Sequence, residues 1–184
     1  YKSIIMEFNI STNILRDQFK DLNYVVTPNA TKIFERIFSV SESSNKSFTI
    51  IGNYGTGKST FLWAMEKNLL KEKIFFSTKI NDKCKSYQFL KILGDATSLT
   101  FAFQKVLGLN TDSTSRDIID ELEKRRKASE KKKNGFVILI DEFGTGSDPE
   151  LGGALAEIFL EEFYHREAFG IITTHYSNLK ILAN

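Results

Sequence analysis

The eight residues Gly52-Asn53-Tyr54-Gly55-Thr56-Gly57-Lys58-Ser59 constrain this chain more than any other stretch. They fit the pattern G-x-x-x-x-G-K-[ST], the phosphate-cradling P-loop. Each residue type is needed where it stands. Glycines let the backbone turn tightly, so that successive N–H groups point into one concavity. That concavity lies at the start of the next helix, whose dipole also favours an anion. Lys58 brings a mobile positive charge to the β- and γ-phosphates, and the Ser59 hydroxyl is placed to ligate Mg2+. The expected binding set runs from Gly52 through Ser59 to Thr60, with ATP and Mg2+ as the ligands. A chance Gly-Lys-Ser in a glycine-rich turn is the competing reading. The flanks argue against it, because the apolar run Phe48-Thr49-Ile50-Ile51 precedes the loop and a helical run follows.

The rest of the chain alternates strand and helix signals. Residues 1–28 read as an irregular, partly helical lead-in that ends at the break Thr27-Pro28, and residues 29–184 as the P-loop domain. Asn29 is the expected cap of a helix to about Val40, with Ile33, Phe34, Ile37 and Phe38 on one face. A strand at 48–51 and a helix from Lys58 to about Lys71 bracket the loop. Ile74-Phe75-Phe76 reads as a second strand, and 86–93 and 97–108 as helical stretches. Ser113 or Thr114 caps a longer helix to about Lys133. A strand at 136–140, a helix at 151–165 and a strand at 169–174 complete the order. The expected class is α/β, a P-loop NTPase with a mostly parallel sheet flanked by helices. Its core reads as about one strand short of a full P-loop sheet.

The clearest strand, Phe136-Val137-Ile138-Leu139-Ile140, is a continuous apolar run of the kind buried on both faces of a parallel sheet. It ends in Asp141 and Glu142, which places both carboxylates at the sheet edge where ligands of open α/β sheets bind. Asp141 is the expected Mg2+ holder, and Glu142 the general base that polarises the attacking water. A strand ending in two solvated acids is common by itself; the pairing with the loop gives it meaning. His175 follows the strand Gly170-Ile171-Ile172-Thr173-Thr174, where a polar side chain can reach a γ-phosphate, though a lone histidine there also reads as a surface residue. The adjacent Asp-Glu resembles the P-loop branch with an extra strand between its two motif strands, which includes ABC-type and AAA-type ATPases and uses a catalytic glutamate.

Composition narrows the class. Apolar residues are 41% of 184 and charged residues 26%, with 16 Phe, which suits one folded domain. The lone Cys84 excludes a disulfide framework and a thiolate metal cluster, and two histidines, His165 and His175, argue against a multi-histidine metal site. No apolar run approaches membrane-spanning length and no leader opens the chain, so the expected location is cytoplasmic. A first residue of Tyr1 rather than Met fits a piece of a longer protein. Charge is divided: residues 1–134 hold 23 basic and 15 acidic residues, residues 135–184 only 2 and 8. Lys124-Arg125-Arg126-Lys127 and Lys131-Lys132-Lys133 put seven basic residues in ten positions, either a grip on nucleic-acid phosphates or a solvated helix end.

Two resemblances follow. The run Val137-Ile138-Leu139-Ile140-Asp141-Glu142-Phe143-Gly144-Thr145-Gly146-Ser147-Asp148-Pro149, with Gly152, Ala154-Leu155-Ala156 and then Thr173-Thr174-His175-Tyr176, Leu179-Lys180, resembles the ATPase domain of MutS-family proteins, closest to the branch called MutS-two. That resemblance covers residues 135–184. It implies that Asp141 and Glu142 are the Mg2+ and water-activating pair, that Gly144 to Asp148 meet a partner subunit's nucleotide, and that His175 senses the γ-phosphate. It also implies a dimer, or an assembly with other subunits, sandwiching two ATPs and acting on mismatched or branched DNA or on stalled ribosomes. The stretch Asn29 to Leu69, with its Tyr54-Gly55-Thr56-Gly57-Lys58-Ser59 core, resembles instead large ATPases of restriction and anti-phage defence loci. The expected alternatives are therefore a MutS-like DNA-processing ATPase, a defence-type ATP-binding subunit or switch, and a mosaic joined near 140–144.

Overall fold

The computed structural model describes residues 12–39, 47–78, 84–94, 98–144, 161, 165 and 169–175. The elements are α1 (Pro28–Ser39), β1 (Ser47–Ile51), α2 (Lys58–Leu69), β2 (Tyr87–Leu93), α3 (Leu99–Leu107), α4 (Ser115–Lys131), β3 (Gly135–Asp141) and β4 (Phe169–Thr174). Of the helix expected at 151–165, Glu161 and His165 are described and are helical; the rest lies outside the described residues. The four strands make one parallel sheet in the order β1-β4-β3-β2. The strand that carries the phosphate loop and the strand that carries Asp141 are thus separated by β4, the inserted-strand arrangement expected from the adjacent Asp-Glu. The fold is an α/β P-loop NTPase fold.

Each strand sends alternate side chains to two cores. Val137, Leu139 and Ile171 join Phe34, Phe38, Leu62, Trp63 and Met65 on the face covered by α1 and α2. Ile138, Ile140 and Ile172 join Phe103, Leu107 and Ile118 on the face covered by α3 and α4. The lead-in belongs to the first core: Ile14 is fully buried there, and the Thr60 hydroxyl on the first turn of α2 meets that of Thr12 at 3.0 Å. Asp17, also fully buried, accepts from Arg16, from Lys20 and from the Asn13 N–H, which hold its carboxyl well below the usual range.

Local expectations are corrected at three places. The cap of α1 is Thr27, not Asn29: its hydroxyl accepts the Ala30 N–H at 3.1 Å, and Pro28 takes the first helical position, where a missing N–H is harmless. Ile74-Phe75-Phe76 is not a strand. The N–H groups of Phe75 and Phe76 both donate to the Asn68 side-chain oxygen, at 2.9 and 2.8 Å, and Phe76 stacks on Phe34 with centroids 4.2 Å apart. Residues 87–93 form strand β2 rather than a helix. Phe89, Lys91 and Leu93 face α2 while Leu90 and Ile92 face α3, and both faces are covered, so the apolar spacing mimics a helix. For α4, Thr114 supplies the cap through a reciprocal capping box with Asp117.

Lys91 is tolerated inside this packing because its ammonium meets Glu66 of α2 at 2.9 Å and Gln18 of the lead-in at 3.1 Å. Both charged side chains are about nine-tenths buried. Removing one partner strands the other charge. Lys91→Ala is expected to lower unfolding free energy by about 3 kcal/mol, and the double change Lys91→Met/Glu66→Met to recover most of that loss. Urea denaturation of the three proteins measures it; equal losses in single and double variants would contradict the pairing.

Candidate nucleotide site

The P-loop leaves β1 and turns into α2. Gly57 caps α2 with φ 81°, and Gly55 has φ 77°, left-handed conformations that favour glycine. The turn is closed from within: Thr56 donates its N–H and its hydroxyl to the Asn53 carbonyl, and the Lys58 ammonium donates to the carbonyls of Gly52 and Asn53 at 2.7 and 2.9 Å. Burial pulls the Lys58 ammonium below its ordinary value, and the carboxylates of Asp141 and Glu142 push back. Asn53 and Tyr54 are exposed at the loop's outer face, whereas the Thr60 hydroxyl is engaged with Thr12.

Ser59 and Asp141, 82 positions apart, meet at the sheet edge. The Ser59 hydroxyl donates to Asp141 Oδ1 at 3.1 Å, and the Thr173 hydroxyl donates to the same oxygen at 2.5 Å. Asp141 is fully buried, and its Oδ2 has no hydrogen-bond partner among the described residues. A buried carboxylate oxygen without a partner is costly unless something else meets it. Its position beside the P-loop serine fits a divalent cation: Mg2+ prefers one or two carboxylates and completes its shell with water and phosphate oxygens. Among the described residues no group of three or more His, Cys, Asp or Glu could hold a metal alone, so water and phosphate oxygens would supply the remainder.

Glu142 stands just past β3 with φ 57°, left-handed for a residue that has a side chain. Its N–H donates to the Thr173 hydroxyl at 3.0 Å. His175 is the exposed residue after β4; continuing the Ile51–Thr174 register sets it beside Gly52. The structure therefore brings Ser59, Lys58, Asp141 and Glu142 to one sheet edge with His175 just past the end of the neighbouring strand β4. Of the expected partner-facing loop, Gly144 is described and 145–148 lie outside the described residues.

Thr173 was not among the expected site residues, and neither was Gly94, whose backbone bonds to Asp141 and Gly144. A signal for Thr173 exists, since two threonines end an otherwise apolar strand where a buried hydroxyl needs a partner. Gly94 is hidden by the helical reading of 86–93.

No protein-family model matches the chain. Among curated proteins, it is 35% identical over 107 residues to Endonuclease MutS2 of Thermus thermophilus, covering 51% of this chain and 14% of that protein. It is 47% identical over 47 residues to Endonuclease MutS2 of Thermomicrobium roseum, covering 26% of this chain and 6% of the relative. The chain thus spans a small fraction of the relatives it matches. The Thermus match covers about half of the chain, so similarity to MutS2 reaches beyond the last 50 residues into the front stretch. Among solved structures, PCH-2 of C. elegans superposes with TM-score 0.51 at 18% identity over 86% of this chain and 40% of that one, a likeness of fold.

Burial holds the Asp141 carboxyl above the ordinary carboxylate range, against the pull of Thr173, Ser59, the Glu142 backbone and Lys58. A folded value above the unfolded one means that the ionised carboxylate opposes folding at neutral pH, and that this opposition fades as pH falls through the raised value. Asp141→Asn is expected to stabilise the ligand-free protein by about 1 kcal/mol at pH 7, roughly 2–4 °C in melting temperature. The gain should shrink toward acid pH, and Mg2+-dependent ATP binding should be lost. Thermal melts from pH 4 to 8, with and without Mg-ATP, check both; a lower melting temperature at pH 7 would contradict the assignment.

Proposed function

We propose that this chain is the Mg2+-dependent ATP-binding and hydrolysing part of a DNA-processing protein of MutS-like type, in which turnover drives a conformational change. The observation that carries it is the Asp141 carboxylate: one oxygen is fixed by the hydroxyls of Ser59 and Thr173, and the other is buried and unpartnered beside the phosphate loop. In this reading Ser59 and Asp141 hold Mg2+, which neutralises charge on the β- and γ-phosphates when bound. Backbone N–H groups of residues 52–60 cradle the phosphates, and Lys58 leaves the loop carbonyls for the γ-phosphate. Glu142 takes a proton from the attacking water as its oxygen bonds to the γ-phosphorus. The bond to the bridging oxygen of ADP breaks, giving ADP and phosphate. His175 contacts the γ-phosphate from β4.

The similarity to MutS2 supports a second subunit that completes the site, a homodimer or a larger assembly, and hence weak activity of the isolated chain. No described helix is long and apolar enough to cross a membrane, and a cytoplasmic location is part of the proposal. A second reading, an ATP-binding switch subunit of a restriction or anti-phage defence complex, is favoured by the loop itself, which reads Gly52-Asn53-Tyr54-Gly55-Thr56-Gly57-Lys58-Ser59 rather than the MutS pattern TGPNMAGKS. Glu142→Gln separates the two. Hydrolysis predicts a fall in turnover of about 100-fold or more with ATP still bound; a slow switch predicts little change. Turnover per chain should also rise with protein concentration, and a fully active, concentration-independent monomer would overturn the shared site.

The basic run divides in two. Lys124 and Arg125 pair with Glu121, and Arg126 and Lys127 with Glu123. Lys131, Lys132 and Lys133 are exposed and make no ion pair among the described residues, so the proposed contact with DNA phosphates rests on them. Changing all three to Gln is expected to flatten the plot of log affinity against log salt for duplex DNA by about 2–3. Fluorescence anisotropy between 50 and 200 mM salt measures this, and an unchanged slope would remove the lysines from the interface.

A further inference from the structure

We propose that Thr173 and Gly94 are positioning residues that together aim the Glu142 carboxylate, an inference that rests on the ATPase reading above. The turn 141–144 is clasped from both neighbouring strands. On the β4 side, the Thr173 hydroxyl donates its hydrogen to Asp141 Oδ1 and accepts the Glu142 N–H at 3.0 Å. The Thr173 carbonyl accepts the Phe143 N–H at 2.9 Å, and the Thr174 hydroxyl donates to the Phe143 carbonyl at 3.2 Å. On the β2 side, the Gly94 N–H donates to the Asp141 carbonyl at 2.8 Å and its carbonyl accepts the Gly144 N–H at 3.1 Å.

Gly94 is needed for closeness. A β-carbon there would stand 2.7 Å from Phe143 Cα and 3.1 Å from its nitrogen, both backbone atoms that cannot swing aside. Glu142 meanwhile occupies a left-handed conformation that persists only where its surroundings fix it. The fully buried Thr173 hydroxyl touches both the proposed metal-facing carboxylate and the backbone of the proposed base. Losing it removes the acceptor that the Glu142 N–H meets at 3.0 Å and one of the two hydroxyl donors to Asp141 Oδ1, while the phosphate loop keeps its own bonds. A base misplaced by about 1 Å loses on the order of 100-fold in rate without a matching loss of binding.

The test compares Thr173→Val, which removes the hydroxyl at constant shape, with Thr173→Ser, which keeps it, and with Gly94→Ala. Three quantities are read: kcat for Mg-ATP, the dissociation constant of a non-hydrolysable Mg-ATP analogue followed by Trp63 fluorescence, and amide hydrogen exchange across 141–144. Thr173→Val and Gly94→Ala are expected to lower kcat about 30- to 100-fold, with affinity within about threefold of the parent and exchange at Glu142 at least tenfold faster. Thr173→Ser should stay within about threefold on all three. Parental kcat and exchange in Thr173→Val would overturn the clasp, as would Thr173→Ser losing as much as Thr173→Val. A parent chain that turns over no ATP sinks the ATPase reading instead, and the exchange comparison then decides the clasp by itself.

Discussion

The Asp141 carboxylate is the point on which the site's geometry depends. It ends a buried strand, and burial makes its charge expensive. Two hydroxyls from separate elements, Ser59 on α2 and Thr173 on β4, satisfy one oxygen and thereby fix where the other lies. That single arrangement ties the P-loop helix, the inserted strand and the strand bearing Glu142 to one another. Asp141 Oδ2 is left buried and without a hydrogen-bond partner among the described residues, the feature on which the proposed cation site rests.

The same bonds bear on how the two resemblances fit together. β1 and β2 come from the front of the chain and β3 and β4 from the back, yet every strand pairing in the sheet joins back to back or front to back. Both cores draw side chains from both stretches. The described residues of the basic front and the acidic back therefore share one sheet and both cores. Much of the front's positive charge on α4 is answered locally, by Glu121, Glu123 and Glu130 of the same helix. A join near 140–144 remains a proposal about origin; β3 pairs with its neighbours up to Ile140 and Asp141, and the turn that follows is hydrogen-bonded to Thr173 and Gly94.

How much was legible follows from what each signal depends on. The P-loop, the apolar strand ending in Asp141-Glu142 and the parallel α/β pattern are local or periodic, and they stand in the structure where the residues place them. The 87–93 strand was not legible, because a charge at Lys91 breaks its alternation and partners distant in sequence, Glu66 and Gln18, make that charge tolerable. The Ile74–Phe76 loop misleads for a related reason: Asn68 supplies its backbone partner in place of a neighbouring strand. Thr173 and Gly94 bond to a turn distant in sequence; the paired threonines hint at a buried hydroxyl, but spacing along the chain does not give the partner of either residue.

The central claim is that Ser59 and Asp141 form half of a cation site that nucleotide phosphates complete. Electron paramagnetic resonance of Mn2+, used in place of Mg2+, tests it without requiring turnover or a partner subunit. The account predicts one Mn2+ taken up per chain when a non-hydrolysable ATP analogue is present, and no tight uptake when it is omitted, because one carboxylate and one hydroxyl do not fill the shell. Free Mn2+ signal undiminished by the protein in the presence of nucleotide would contradict it.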